Sequence, residues 1–272
     1  MSEPLWRPSA ERIAASNLSH FMAEVERRWG VATGDYDALW QWSIEQPERF
    51  WQSLWDFAEV RAETRGQTVL ADRDRLPGAR FFPEARLNFA ENLLRRRDDG
   101  EAIVFQGEQA IRRRLSWAEL YDQVAGLAQA LAAVGVTKGD RVVGFLPNMP
   151  ETIIAMLATA SLGAVWSSCS PDFGIRGVLD RFGQIAPKVL FTADGYFYNG
   201  TRHDSLARIA GIVAELTALE AVVVVPYTRD DPPVTALGAR ARLFADFVAP
   251  QPGGEIGFVA CEFNHPLYIM YS

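Results

Sequence analysis

The run Ala221-Val222-Val223-Val224-Val225 constrains the fold more than any other stretch of this chain. It is continuous and β-branched, with no alternation between core and solvent, so it reads as a strand buried on both faces. Parallel strands need long crossovers, usually helices, and the sequence supplies them. Arg141-Val142-Val143-Gly144-Phe145-Leu146, Ala164 to Ser168 and Lys188 to Ala193 read as further strands. Before and between them, apolar residues recur at three- and four-residue steps, the spacing of one helix face. Leu120, Val124, Leu127, Leu131 and Val134 follow the capping box Ser116-Trp117-Ala118-Glu119, and Gly135 is a left-handed stop. Pro150-Glu151 opens a helix through Leu162 that Gly163 closes. Ile175, Val178, Leu179, Phe182 and Ile185 mark a third helix, and Leu206, Ile209, Ala210, Val213 and Leu216 a fourth. This alternation predicts an α/β fold, a largely parallel sheet layered with helices.

Ala102 to Phe105 and Gln109 to Ile111 read as short strands around a turn at Gly107. The chain before this region reads as a helical, tryptophan-rich extension over residues 1–89, with Trp6, Trp29, Trp40, Trp42, Trp51 and Trp55. There, Pro47-Glu48 followed by Phe50, Trp51, Leu54, Trp55 and Ala58 gives an apolar helical stripe. Core packing explains such rings better than a ligand platform, because they bury large areas. Pro266-Leu267-Tyr268-Ile269-Met270-Tyr271-Ser272 reads as one more buried strand with a polar tip. In open α/β sheets the ligand crevice lies beyond the carboxyl ends of such strands, so the sheet is expected to be interrupted there.

A net charge of -7 argues against a general nucleic-acid surface. The runs Arg95-Arg96-Arg97 and Arg112-Arg113-Arg114 read as solvated faces or turns. The two cysteines, Cys169 and Cys261, lie in no paired motif, which argues against a disulfide framework or a zinc site and fits a reducing cytoplasm. No apolar run reaches membrane-spanning length, and the N-terminus carries no signal pattern, so neither a membrane nor secretion is expected. His20, His203 and His265 are scattered in sequence, and no metal site is assigned. Cys169 reads as an inert thiol. Asp172-Phe173-Gly174 matches a kinase tripeptide without the motifs that accompany it, and is read as coincidence.

Longer stretches carry a resemblance. Gly144-Phe145-Leu146-Pro147-Asn148-Met149-Pro150-Glu151, then Ala155 through Gly174, then Gly177-Val178-Leu179-Asp180-Arg181-Phe182 resemble the AMP-forming acyl-CoA synthetases, or adenylate-forming superfamily. Tyr36 to Ser43 and Phe50 to Asp56 resemble the N-terminal extension of the acetyl-CoA branch, and Leu115 to Leu120 the first core motif. Trp166 after Gly163-Ala164-Val165, the stretch Ser170 to Gly174, and Tyr198-Asn199-Gly200 resemble the acetoacetate branch.

The resemblance implies that residues 90–272 are the first part of an adenylation domain, an incomplete N-terminal domain. It implies ligation of acetoacetate, or a similar short acyl acid, to CoA with ATP and Mg²⁺. In that family a strand like Tyr268 to Ser272 runs into the ATP phosphate loop, so Ser272 would enter it. Tyr198, Asn199, Gly200, Thr201 and Arg202 match a loop that approaches a CoA phosphate. Arg202 is either a phosphate ligand or an ordinary surface arginine. Trp166, Asp172 and Phe173 are read first as core and turn packing, with substrate contact as the alternative. No catalytic residue is assigned. The chain alone is expected to be inactive. One rival reading is half of a split enzyme with a separately encoded C-terminal portion as partner, and another is a non-catalytic binding module retaining the fold.

Overall fold

The computed structural model describes residues 5–109, 111–251 and 253–271. They form two compact units, Met1–Ala85 with Glu262–Asn264, and Arg86–Cys261 with His265–Ser272.

The first unit is built on helices Asn17–Trp29, Tyr36–Glu45 and Pro47–Phe57. Ser16 and Asp35 cap the first two by accepting backbone N–H groups, and Pro47 sits where its missing N–H costs nothing. Phe21, Val25, Leu39 and Trp42 form the core. Phe50 packs edge-on against Phe21 at 5.9 Å. The helical reading ends at Phe57, well before residue 89. Between Phe57 and residue 89 the described residues carry the two-residue strands Leu70–Ala71 and Arg80–Phe81, paired antiparallel, and Arg86–Leu87. Local polar bonds replace helix there: the Glu84 carboxylate accepts from Gln67 N, Thr68 N and Thr68 Oγ1. The tryptophans divide: Trp42 and Trp55 are buried, while Trp40 and Trp51 keep exposed faces.

The second unit holds a six-stranded, wholly parallel sheet. From edge to edge its strands are Ala241–Leu243, Ala221–Val225, Val189–Ala193, Arg141–Phe145, Val165–Cys169 and Tyr268–Ile269. Alternate side chains feed two cores. Val142, Trp166, Phe191 and Val223 pack with residues of helices Trp117–Ala133 and Pro150–Ser161 on one face. Val143, Phe145, Leu190 and Val222 pack with Ile175–Phe182 and Leu206–Glu215 on the other. The capping box at Ser116 and Glu119 closes reciprocally, with bonds of 3.1 and 2.8 Å.

The strand expected over Gln109 to Ile111 includes Ala110, which lies outside the described residues; the hairpin pairs Glu101–Gln106 with Arg112–Ser116, with Ile103 opposite Leu115. The strand Tyr268–Ile269 is not buried. It lies at the sheet edge, with Met270 85% exposed. Among the described residues it pairs with one strand, Val165–Cys169.

One polar side chain ties this unit together. Asn88, 2% exposed, donates to Ala160 O, Ser161 O and Val259 O at 2.9–3.0 Å, and accepts from Ala90 N and Glu91 N. It caps helix Phe89–Leu93 and satisfies carbonyls at the end of helix Pro150–Ser161. Asn88→Ala should destabilise the protein by about 1–3 kcal/mol, from a lost cap and the loss of buried hydrogen bonds to carbonyls that each keep another donor. A urea midpoint unchanged from the parent would refute this role.

Candidate functional site

The strand order reverses once in the sheet interior. The chain passes from Arg141–Phe145 to its neighbour Val165–Cys169, then crosses back to Val189–Ala193 on the other side. Helices leaving adjacent strands toward opposite faces open a crevice beyond the strands' carboxyl ends, where open α/β sheets bind ligands. The segments after these strands are therefore the candidate site.

Strand Val189–Ala193 ends on Asp194, which is fully buried. Its carboxylate accepts from Tyr227 N at 2.6 Å, Thr228 N at 3.0 Å and Thr228 Oγ1 at 2.5 Å. A buried carboxylate persists only with such donors, so Asp194 fixes the loop after the neighbouring strand Ala221–Val225. The sequence carries the signal, an acid directly after the buried strand Val189-Leu190-Phe191-Thr192-Ala193.

Asp194 leads into the hairpin Gly195–Tyr198 and Thr201–Asp204. Asn199 and Gly200 form its two-residue turn, with φ of 50° and 75°. Both angles are left-handed, which is why Asn-Gly serves here. Residues 198–202 are thus a hairpin tip rather than an irregular loop, and Tyr198, Asn199, Gly200, Thr201 and Arg202 are all exposed. The two turn amides point to one place: Asn199 N and Gly200 N donate to the two carboxylate oxygens of Glu108, at 3.1 and 3.0 Å. Two adjacent amide donors have the chemistry of an anion cradle. Here a carboxylate of the same chain fills the pair. Glu108 lies far away in sequence, and nothing local announces it.

Tyr227 stands between the two hairpins, its ring 6.3 Å from Phe105 and 5.7 Å from Phe197. Burial first, and the Glu108 charge second, push its phenol above the ordinary tyrosine value.

The Ser170–Gly174 segment follows strand Val165–Cys169. Trp166 is 5% exposed and part of the core. Its ring occupies the space a Cβ at Gly144 would need, 2.6 Å from that position. Asp172 lies exposed in a turn and Phe173 is half-buried. Arg208 holds the segment by donating to Pro171 O at 2.7 Å and Phe173 O at 3.1 Å. The Arg181 guanidinium lies over Phe173 at 4.7 Å and over Tyr271 at 5.7 Å, and the Tyr271 hydroxyl donates to Arg181 O at 2.7 Å. Asp172 and Phe173 therefore share one end of the sheet with the hairpin, while the Trp166 ring packs inside. Ser272 lies outside the described residues.

The arginine runs are largely solvated, as read: Arg95, Arg96, Arg97, Arg112 and Arg114 are exposed, and Arg113 is half-buried. Arg113 pairs at 2.6 Å with Glu151, a carboxylate only 7% exposed at the start of helix Pro150–Ser161. Arg97 pairs with Glu255 and lies 3.8 Å over the Tyr121 ring. The first unit carries a separate depression of about 370 Å³, lined by Ile44, Phe50, Trp51 and Phe81 among others. Its arginine, Arg73, lies 3.6 Å from Glu48, so no set of polar groups converges there. No group of metal-binding side chains was found among the described residues. No helix among them is long and apolar enough to cross a membrane.

Residues 89–272 match the AMP-binding enzyme family, and residues 36–93 match the acetyl-coenzyme A synthetase N-terminus. The chain belongs to the AMP-binding enzyme family. It is 47% identical over 269 residues to an acetoacetyl-coenzyme A synthetase of Rhizobium meliloti (strain 1021), a match covering 99% of this chain and 41% of that protein. An acetoacetyl-CoA synthetase of Xenopus tropicalis is 37% identical, over 98% of this chain and 41% of that one. The solved acetoacetyl-CoA synthetase from Streptomyces lividans superposes with a TM-score of 0.91 at 41% identity, over all of this chain and 41% of that structure. The chain thus spans about two-fifths of the length of the relatives it matches.

Cys169 gives this site a pH signature. Burial pushes its thiol up to about 11, with Arg181 pulling weakly the other way. Thiolate is the reactive form, so Cys169 should resist iodoacetamide at pH 8 in the folded chain and react in urea. Because the folded value lies above the unfolded one, the linked stability is present below about pH 9 and lost as pH rises towards 11. Rapid labelling of Cys169 in the folded chain, followed by peptide mapping, would contradict this.

Proposed function

We propose that this chain is the N-terminal segment of an acetoacetate–CoA ligase. The observation that carries the reading is the similarity to acetoacetyl-CoA synthetases along the whole chain, with a TM-score of 0.91 to a solved one. The reaction would join acetoacetate to CoA at the expense of ATP, giving AMP and diphosphate, with Mg²⁺ neutralising phosphate charge. ATP supplies the activation, because a carboxylate is a poor acyl donor and its mixed anhydride with AMP a good one.

This chain's own residues contribute position. Asp194 fixes the Tyr227 loop and the base of the hairpin. The Asn199 and Gly200 amides and the Arg202 guanidinium would face the phosphate of CoA. Arg181 and Arg208 hold the Ser170–Gly174 segment at the same edge of the sheet. Ser272 would enter the ATP phosphate loop. The remaining three-fifths of the relatives' length would supply the acyl pocket and the catalytic groups, either on a longer chain or on a separate polypeptide.

The test joins this chain to the C-terminal remainder of the Rhizobium meliloti relative and measures diphosphate release. Acetoacetate-dependent turnover by the chimera, with none from this chain alone, is expected. Robust turnover by the chain alone would overturn the division of labour. A folded chimera that releases diphosphate only with a different acyl acid would overturn the substrate.

A further inference from the structure

The hairpin tip and Glu108 form a contact that the ligase reading leaves unused. Asn199 and Gly200 offer two parallel amide donors, and both oxygens of one carboxylate fill them. Charge-assisted bonds of this kind are stronger than neutral ones, and the pair of donors matches a two-oxygen acceptor. The cradle is open to solvent, since a Cβ built on Gly200 would meet nothing within 4 Å. It has room for one anion: a second, within reach of the same N–H groups, would be repelled by the first. An exposed carboxylate is also cheap to release, because water solvates it again and exposed charge pairs are weak. The hairpins need not separate when it leaves. Tyr227 packs against Phe105 on one and Phe197 on the other, and Asp194 holds the Tyr227 backbone from below.

We propose that Glu108 is a displaceable latch: its carboxylate occupies an anion cradle formed by the Asn199 and Gly200 amides, and a phosphate-bearing ligand binds there by expelling it. The latch sets the affinity of the site and keeps the turn ordered when no ligand is present. The inference rests on the ligase reading only for the natural ligand, the phosphate of CoA; the competition itself depends on the amides and Glu108.

Inorganic phosphate is the probe, titrated into the ¹⁵N-labelled chain while the amide resonances of Asn199 and Gly200 are followed. Glu108→Gln removes the charge and should tighten phosphate binding by about three- to tenfold, the range expected for an exposed charge-assisted contact. In the unaltered chain, the carboxyl carbon resonance of Glu108 should move with the same midpoint as the two amides. Equal affinity in the two proteins would overturn the latch. So would silent amides in both, or a Glu108 carbon that stays fixed while the amides respond. Should the Glu108→Gln chain fail to fold, the carbon resonance of the unaltered chain decides alone. Coenzyme A forms a second arm. A response to phosphate without one to coenzyme A keeps the latch and removes the coenzyme A assignment; the diphosphate assay above is untouched by either result.

Discussion

Asp194 is the point on which the candidate site turns. It ends a strand whose five residues are all buried, and it carries a charge into a place that water does not reach. An isolated carboxylate there would cost several kcal/mol. Two backbone N–H groups and the Thr228 hydroxyl meet it instead. That satisfaction binds the end of one strand to the loop after the next. Tyr227 is fixed by the same bonds, and its ring gives the two hairpins a common packing partner. The direction of the hairpin tip, and with it the pair of amides at Asn199 and Gly200, follows from this buried charge.

The sheet makes such an arrangement possible. Strands buried on both faces leave no room for chemistry except at their ends, and the reversal of strand order gathers several ends together. Close packing sets the spacing: the absence of a side chain at Gly144 lets Trp166 lie flush against the neighbouring strand, with Phe191 beyond it at 6.3 Å. The Ser170–Gly174 segment is held differently, by guanidinium groups that donate to carbonyls and cover aromatic faces. A sheet built this way is closely packed in its middle, while its carboxyl end carries turns held by polar contacts.

Much of the fold was legible because its signals are local. The β-branched run at residues 221–225, the helical steps from Leu120 to Leu131 and the Ser116–Glu119 box each carry their own geometry. Where reading failed, the decisive partner lay far along the chain. Tyr268–Ile269 is apolar enough for a buried strand, yet its position in the strand order leaves it at an edge. Arg113 looked like part of a solvated run, and only the structure brings it to Glu151. Residues 58–88 lack helical periodicity, and tryptophan content alone suggested more helix than forms. The Asn199-Gly200 pair was a readable turn signal whose conformation is now plain. Its contact with Glu108, across 91 and 92 positions, could not be read from either segment.

Membership of the AMP-binding enzymes is shown, and the proposed CoA contact lies at the hairpin tip, where two backbone amides converge on one carboxylate. The most direct measurement is a crystal structure of the chain joined to a relative's remaining three-fifths, grown with coenzyme A. Coenzyme A phosphate oxygens within hydrogen-bond reach of the Asn199 and Gly200 amides, with Asp194 still bonded to Tyr227 and Thr228, is the arrangement expected. Coenzyme A bound elsewhere, with the hairpin tip untouched, would contradict it.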